Sequence, residues 1–132
     1  RIKPHFTEFV GPAFEEVCQQ HLRLLGRRGK LPFYPHRLGS WWDGQDEVDL
    51  LAISEDEAAI IVGECKWWSK PVGASVLSEL QQKARAVLLH FQRPPQVFYA
   101  LFARSGFTEE LHELAAKRND LLLFEAGQLH GA

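Results

Sequence analysis

The chain has 132 residues, 45% of them hydrophobic and 24% charged, which sets one globular domain with a single core and excludes a disordered or fibrous chain. Net charge is −2, yet residues 1–40 carry seven basic and three acidic side chains while residues 41–66 carry eight acidic and one basic. No apolar run approaches the roughly 18 residues that a membrane helix needs, and no secretory leader pattern is present, so a cytoplasmic protein with no membrane partner is expected. The two cysteines, Cys18 and Cys65, read as reduced thiols rather than a disulfide framework. Absence of methionine and a start at Arg1 point to a domain cut from a longer chain.

Gly11 and Pro12 offer a helix start, because proline is tolerated at the first helical position where its missing N–H is not needed. From there Phe14, Val17, Cys18, His21, Leu22 and Leu25 recur at three-and-four spacing, predicting a first helix that ends at Gly26. Glu15 falls at the edge of this apolar stripe and Glu16 points away, so only Glu15 can reach a site at the core margin. After the basic loop Gly26–Lys30, residues 33–42 read as a strand interrupted by Pro35 and Gly39. Asp43-Gly44 marks a turn, residues 46–54 a second strand, Ser54–Glu57 a polar turn and residues 58–66 a third strand, together an antiparallel meander. Residues 75–92 form a second amphipathic helix, with Val76, Leu80, Ala84, Val87 and Phe91 on one face and Pro94-Pro95 as its stop. The apolar run 96–103 is a strand covered on both faces, and the helix before it makes it parallel to the third strand. Ser105 or Thr108 then caps a third helix to about Arg118, and Leu121–Glu125 is a last strand. The order α-β-β-β-α-β with an additional α-β predicts an α/β fold: a mixed sheet with helices on both faces.

The stretch "IIVGECKWW", residues 60–68, sets Glu64 and Lys66 into the end of a buried strand, where an unpaired charge is costly. Strand alternation puts these two on one face and Cys65 on the other, as a small buried hydrophobe. With the hairpin closing at Ser54–Glu57, Ile53 faces Ala58 and Asp49 faces Val62. Asp49 then shares a face with Glu64, two residues off register and within diagonal reach, and a bulge at Gly63 would bring them closer. Two carboxylates stay ionised side by side only if a cation joins them, and Mg²⁺ takes one or two carboxylates plus waters and phosphate oxygens. Lys66 would orient or deprotonate the attacking water or stabilise charge on the phosphate, and Glu15 could add a ligand.

At these residues the sequence resembles the PD-(D/E)XK nuclease superfamily: an acid on the first helix ("GPAFEEV"), an acid on the second strand ("EVDLLA") and acid-any-lysine on the third ("GECKWW"). More narrowly, "GSWWDGQDEVDLLAIS", "GECKWWSKPVGASVLSELQQKA" and "RSGFTEEL" look like the domain-of-unknown-function family at the C-terminal end of archaeal-type AAA+ ATPases, over roughly residues 10 to 125. The resemblance implies a restriction-endonuclease-like, three-layer α/β/α fold with strand order 1-2-3-4. It implies a nuclease hydrolysing phosphodiester bonds with Mg²⁺ or Mn²⁺, with Glu15, Asp49, Glu64 and Lys66 at the catalytic positions and Asp49 and Glu64 as the metal ligands. It further implies a nucleic-acid partner, DNA before RNA, and an AAA+ ATPase domain in the same full-length chain. The proline that often precedes the second-strand acid is replaced by Val48.

Other readings stand beside these. Glu64 and Lys66 alone could be an ion pair at a strand end, and Glu15 a solvated first-turn residue. Trp41, Trp42, Trp67 and Trp68 suit packing more than base stacking. Arg23, Arg27, Arg28 and Lys30 form a basic helix end suited to backbone phosphates; Gln81 and Lys83 flank the stripe of the second helix, a position that suits a solvated flank more than one facing the site, and Lys83 is a candidate nucleic-acid contact there. A non-catalytic module that keeps the nuclease fold as a regulatory or interaction part of an AAA+ ATPase is the alternative function. A homodimer is compatible with the sequence and not specified by it.

Overall fold

The computed structural model describes the backbone of residues 2–129 and the side chains of residues 13–127 and 129. In chain order the elements are α1 (Ile2–Arg27), β1 (Arg37–Trp42), β2 (Glu47–Ile53), β3 (Ala59–Lys66), α2 (Ala74–Leu88), β4 (Gln96–Ala103), α3 (Glu109–Lys117) and β5 (Leu121–Glu125), followed by the short turn Ala126–Gln128. The five strands form one sheet in the order β1-β2-β3-β4-β5. β1 and β3 run antiparallel to β2, whereas β3, β4 and β5 are mutually parallel. Among the described residues no helix is long and apolar enough to cross a membrane.

Alternation along β2, β3 and β4 sends apolar side chains to both faces, so each face must be covered. One face buries Leu50, Ala52, Ile61, Ala100 and Phe102 against Phe14, Cys18 and Leu22 of α1. The other buries Leu51, Ile53, Ile60, Val62 and Leu101 against Val76, Leu77, Leu80, Ala84 and Val87 of α2 and Leu111 of α3. This is the expected α/β/α arrangement. Gly63 sits at the centre, paired with Leu50 on one side and Ala100 on the other. A Cβ there would lie 3.2 Å from Leu50 Cβ and 3.3 Å from the Ala100 carbonyl, so the neighbouring strands would have to give by a few tenths of an ångström.

Four local expectations need correction. α1 begins at Ile2, with Pro12 inside it. Proline removes one ladder donor but holds a helical φ, so it interrupts a hydrogen bond and does not by itself end the helix. β1 is confined to Arg37–Trp42. Pro35 packs onto the helix instead, so closely that a Cβ on Gly26 would be 2.7 Å from its Cδ. α2 ends at Leu88, and its chain tightens through His90 N to Val87 O and Phe91 N to Leu88 O bonds before Pro94 is reached.

The fourth correction concerns the hairpin. Asp56 accepts from Ser54 Oγ at 2.8 Å and from Ala58 N at 3.0 Å, and Glu57 takes φ 59°, which makes the loop longer than a tight turn. Ile53 therefore pairs with Ile60, not Ala58, and Leu51 with Val62. The slip is an even number of residues, so the apolar faces are unchanged; a slip of one would have exchanged them.

Candidate active site

The β2–β3 ladder is paired as far as Leu50 and Gly63. One step beyond, Asp49 comes level with Glu64. On its other side β2 carries a bulge: Gly39 pairs with Leu51 and Trp41 with Val48, so Ser40 faces both Asp49 and Leu50. The bulge resets alternation. Val48 packs with Leu51 and Ile53 on the α2 side, while Leu50 lies on the α1 side.

Asp49 is thereby released from both faces. Its Oδ2 accepts from the Cys65 amide at 2.8 Å, taking the place of a ladder carbonyl. Strand amides point along the sheet, so the carboxylate lies at the seam between β2 and β3 and not on the face of Glu64 as sequence counting placed it. The bulge is on β2, not at Gly63. From the seam Asp49 meets acids on both sides. Glu15 reaches it from α1, and burial, the Asp49 charge and a hydrogen bond with Asp49 push the Glu15 carboxyl up to about 7. Glu16 is exposed, as the helical wheel requires. Gln19, one turn after Glu15, donates from Nε2 to the Asp49 carbonyl at 3.3 Å.

Glu64 lies on the α2 side with only 8% of its side chain exposed. Its Oε2 faces two ammonium groups, Lys83 Nζ at 3.1 Å and Lys66 Nζ at 3.6 Å. Burial and the Asp49 charge nevertheless hold its carboxyl above the usual range, so the two lysines do not fully compensate. Among the described residues, Glu64 Oε1 is the buried side-chain polar atom left without a hydrogen bond. Burial opposes the charge of Lys83, but Glu64 outweighs it and raises the ammonium above its ordinary value.

Lys66 Nζ lies 5.2 Å from the centre of the Trp68 ring, which Lys70 Nζ also approaches at 5.5 Å. Trp67 packs edge-on against Phe14 of α1 at 4.9 Å and carries the Arg104 guanidinium at 5.0 Å. Trp41 packs against His90, whereas Trp42 is 72% exposed. Packing thus takes Trp41, Trp67 and Trp68, as the sequence suggested, and Trp68 in addition faces two cations.

Of the residues singled out from sequence, Glu15, Asp49, Glu64, Lys66 and Lys83 come together. Arg27, Arg28 and Lys30 do not join them: they are exposed at the far end of α1, some 18 Å along the helix axis from Glu15 at 1.5 Å per residue. Gln19, Lys70 and Arg104 were missed. Gln19 had a signal in its four-residue spacing from Glu15; Arg104 had none, because it reaches Trp67 only through the parallel pairing of β3 with β4. Cys18 and Cys65 are free thiols in the α1-side core. A hydrogen bond with Cys18 that favours the protonated thiol, together with burial, holds Cys65 well above its ordinary range.

A divalent cation fits this donor set. As they are placed, no three His, Cys, Asp or Glu side chains among the described residues form a ready ligand cluster. Asp49 and Glu64 supply two carboxylates, one with a bare buried oxygen, which is the number that Mg²⁺ takes from protein when water and phosphate complete its shell.

Residues 1–85 match DUF234, a family described as archaea bacterial proteins of unknown function, and the chain belongs to that family. An uncharacterized protein, MJECL04, of Methanocaldococcus jannaschii is 33% identical over 66 residues, which is 50% of this chain and 15% of the relative. The chain therefore spans a small part of that relative's length. The crystal structure of a repair endonuclease from Pyrococcus abyssi superimposes with a TM-score of 0.52 at 18% identity, covering 86% of this chain and 46% of that one. At that identity the likeness is one of fold: this chain has a nuclease-like fold.

Proposed function

We propose that this member of the DUF234 family hydrolyses phosphodiester bonds of nucleic acid, DNA before RNA, with Mg²⁺ or Mn²⁺ held by Asp49 and Glu64. The observation that carries the reading is Glu64 Oε1, a buried carboxylate oxygen with no donor, beside a second carboxylate at an open strand seam. Bound there, a divalent ion would supply positive charge for the phosphate and acidify a nearby water.

The chain's own groups do the rest. The Cys65 amide fixes the Asp49 carboxylate, so its orientation is set before any ligand arrives. Lys66, held between Glu64 and the Trp68 ring, would orient the attacking water and stabilise charge on the phosphate. Glu15, with its carboxyl near neutrality, can hold or release a proton beside Asp49. In the full-length protein the domain is proposed to accompany an AAA+ ATPase domain, a reading that rests on the sequence resemblance and is compatible with a relative much longer than this chain.

A second reading has an observation of its own. Two ammonium groups already pair with Glu64 Oε2, as they would in a non-catalytic module that keeps the fold and closes the site with ion pairs. Cleavage of DNA and RNA with Mn²⁺, run for the wild type, Lys66→Ala and Asp49→Asn, separates the two. The nuclease reading expects wild-type cutting that both substitutions reduce by roughly 10²-fold or more. No cutting by the wild type, or equal cutting by all three, favours the module.

A further inference from the structure

Lys83 is the nearer of the two ammonium groups on Glu64, yet it comes from α2 and lies outside the acid-any-lysine stretch. The two lysines are held differently. Lys66 has a second support in the Trp68 ring, whereas Glu64 Oε2 is the hydrogen-bond acceptor of Lys83. Both compete for one oxygen while the other oxygen of the same carboxylate has no partner. A carboxylate cannot keep two ammonium groups at full strength and take a doubly charged ion as well, because the added charge repels both. The group with less alternative support should move, and that is Lys83, whose side chain is 31% exposed and so has an open path.

We propose that Lys83 is a resident counter-ion that a divalent cation displaces from Glu64, and that the freed ammonium becomes a binding site for a phosphate of the nucleic acid. This rests on the metal reading above and adds to it a coupling between the two ligands. Metal loading creates a phosphate contact that the metal-free protein lacks, and the bound phosphate in turn favours metal by keeping Lys83 away, since linkage is reciprocal. In the metal-free protein Lys83 keeps the buried Glu64 from standing as an uncompensated charge.

The test compares wild type, Lys83→Met and Lys83→Arg. Mn²⁺ affinity is read by calorimetric titration, and binding of a short fluorescent DNA duplex and of its single strand by anisotropy, in EDTA and in Ca²⁺. Removing one positive charge beside the metal should tighten Mn²⁺ binding in Lys83→Met by roughly tenfold. The same variant should bind either DNA as the wild type does in EDTA and more weakly than the wild type in Ca²⁺, while Lys83→Arg keeps both wild-type behaviours. Mn²⁺ binding that is weakened or unchanged in Lys83→Met, or DNA binding lost equally in EDTA and Ca²⁺, overturns the displacement while leaving the metal site intact. A wild type that binds no Mn²⁺ overturns the metal reading and this proposal with it.

Discussion

Asp56, at the closed end of the β2–β3 hairpin, accepts hydrogen bonds from Ala58 N and Ser54 Oγ, and those two donors hold its carboxyl below the usual range. Glu64, towards the open end of the same hairpin, has no backbone donor on its bare oxygen, and burial with the Asp49 charge holds its carboxyl above that range. Both belong to one acidic stretch, and both are carboxylates on or beside β3. The difference is solvent and donors. Exposed acids that terminate turns are satisfied locally, whereas acids half-enclosed between helices compete for too few cations. Such an imbalance is what the proposed metal site rests on, and it cannot be seen by counting acidic residues.

The contrast is strongest at Glu64. A carboxyl raised in the folded state contributes stability only while protonated, so its ionisation opposes folding above the unfolded value. Glu64→Gln should raise the melting temperature by a few degrees in EDTA at pH 8. The same change should abolish Mn²⁺ binding and lower cleavage by roughly 10²–10³-fold. Calorimetry and a cleavage time course check both halves, and a variant that loses stability in EDTA would show that Glu64 is a structural ion pair.

Glu15 comes next. Its folded value of about 7 lies above the ordinary 4.5, so its stabilising protonation is complete below pH 4.5 and is lost as pH rises through 7. Because Glu15 is only half-buried, at the edge of its helix, the loss is screened to roughly 1 kcal/mol. Glu15→Gln should flatten the fall in melting temperature between pH 5 and 8. An unchanged slope would place the Asp49–Glu15 contact outside the folded ensemble. Asp56→Ala gives the smallest effect and the opposite sign. A depressed carboxyl stabilises above its unfolded value and loses that contribution as pH falls, so this variant should lower the melting temperature by about a degree or two at pH 7 and lose less on acidification. Its Mn²⁺ affinity should match wild type, because the turn lies at the other end of the strand.

Much of this was legible without coordinates. Phe14, Cys18 and Leu22 are buried at the spacing their helix period demands, and β4 and β5 occupy the residues their apolar runs mark. Those signals are local: a helix or strand needs only its own period to show which side faces the core. The turn between β2 and β3 was misjudged because the Asp56 hydrogen bonds and the positive φ of Glu57 set its length, and composition alone does not reveal either. The start of α1 was misjudged because a proline was read as a boundary.

Residue types and their periods were enough to specify the α/β order and to nominate Glu15, Asp49, Glu64 and Lys66, since each follows from chemistry carried on one element. The chain fold alone determined that Asp49 lies in the seam, that Lys83 reaches Glu64 from α2, and that Arg27, Arg28 and Lys30 stay at the distant end of α1. Those placements depend on a bulge, a turn length and the seating of two helices against the sheet. Each is settled by packing between segments distant in the chain, for which no single stretch of residues holds the information.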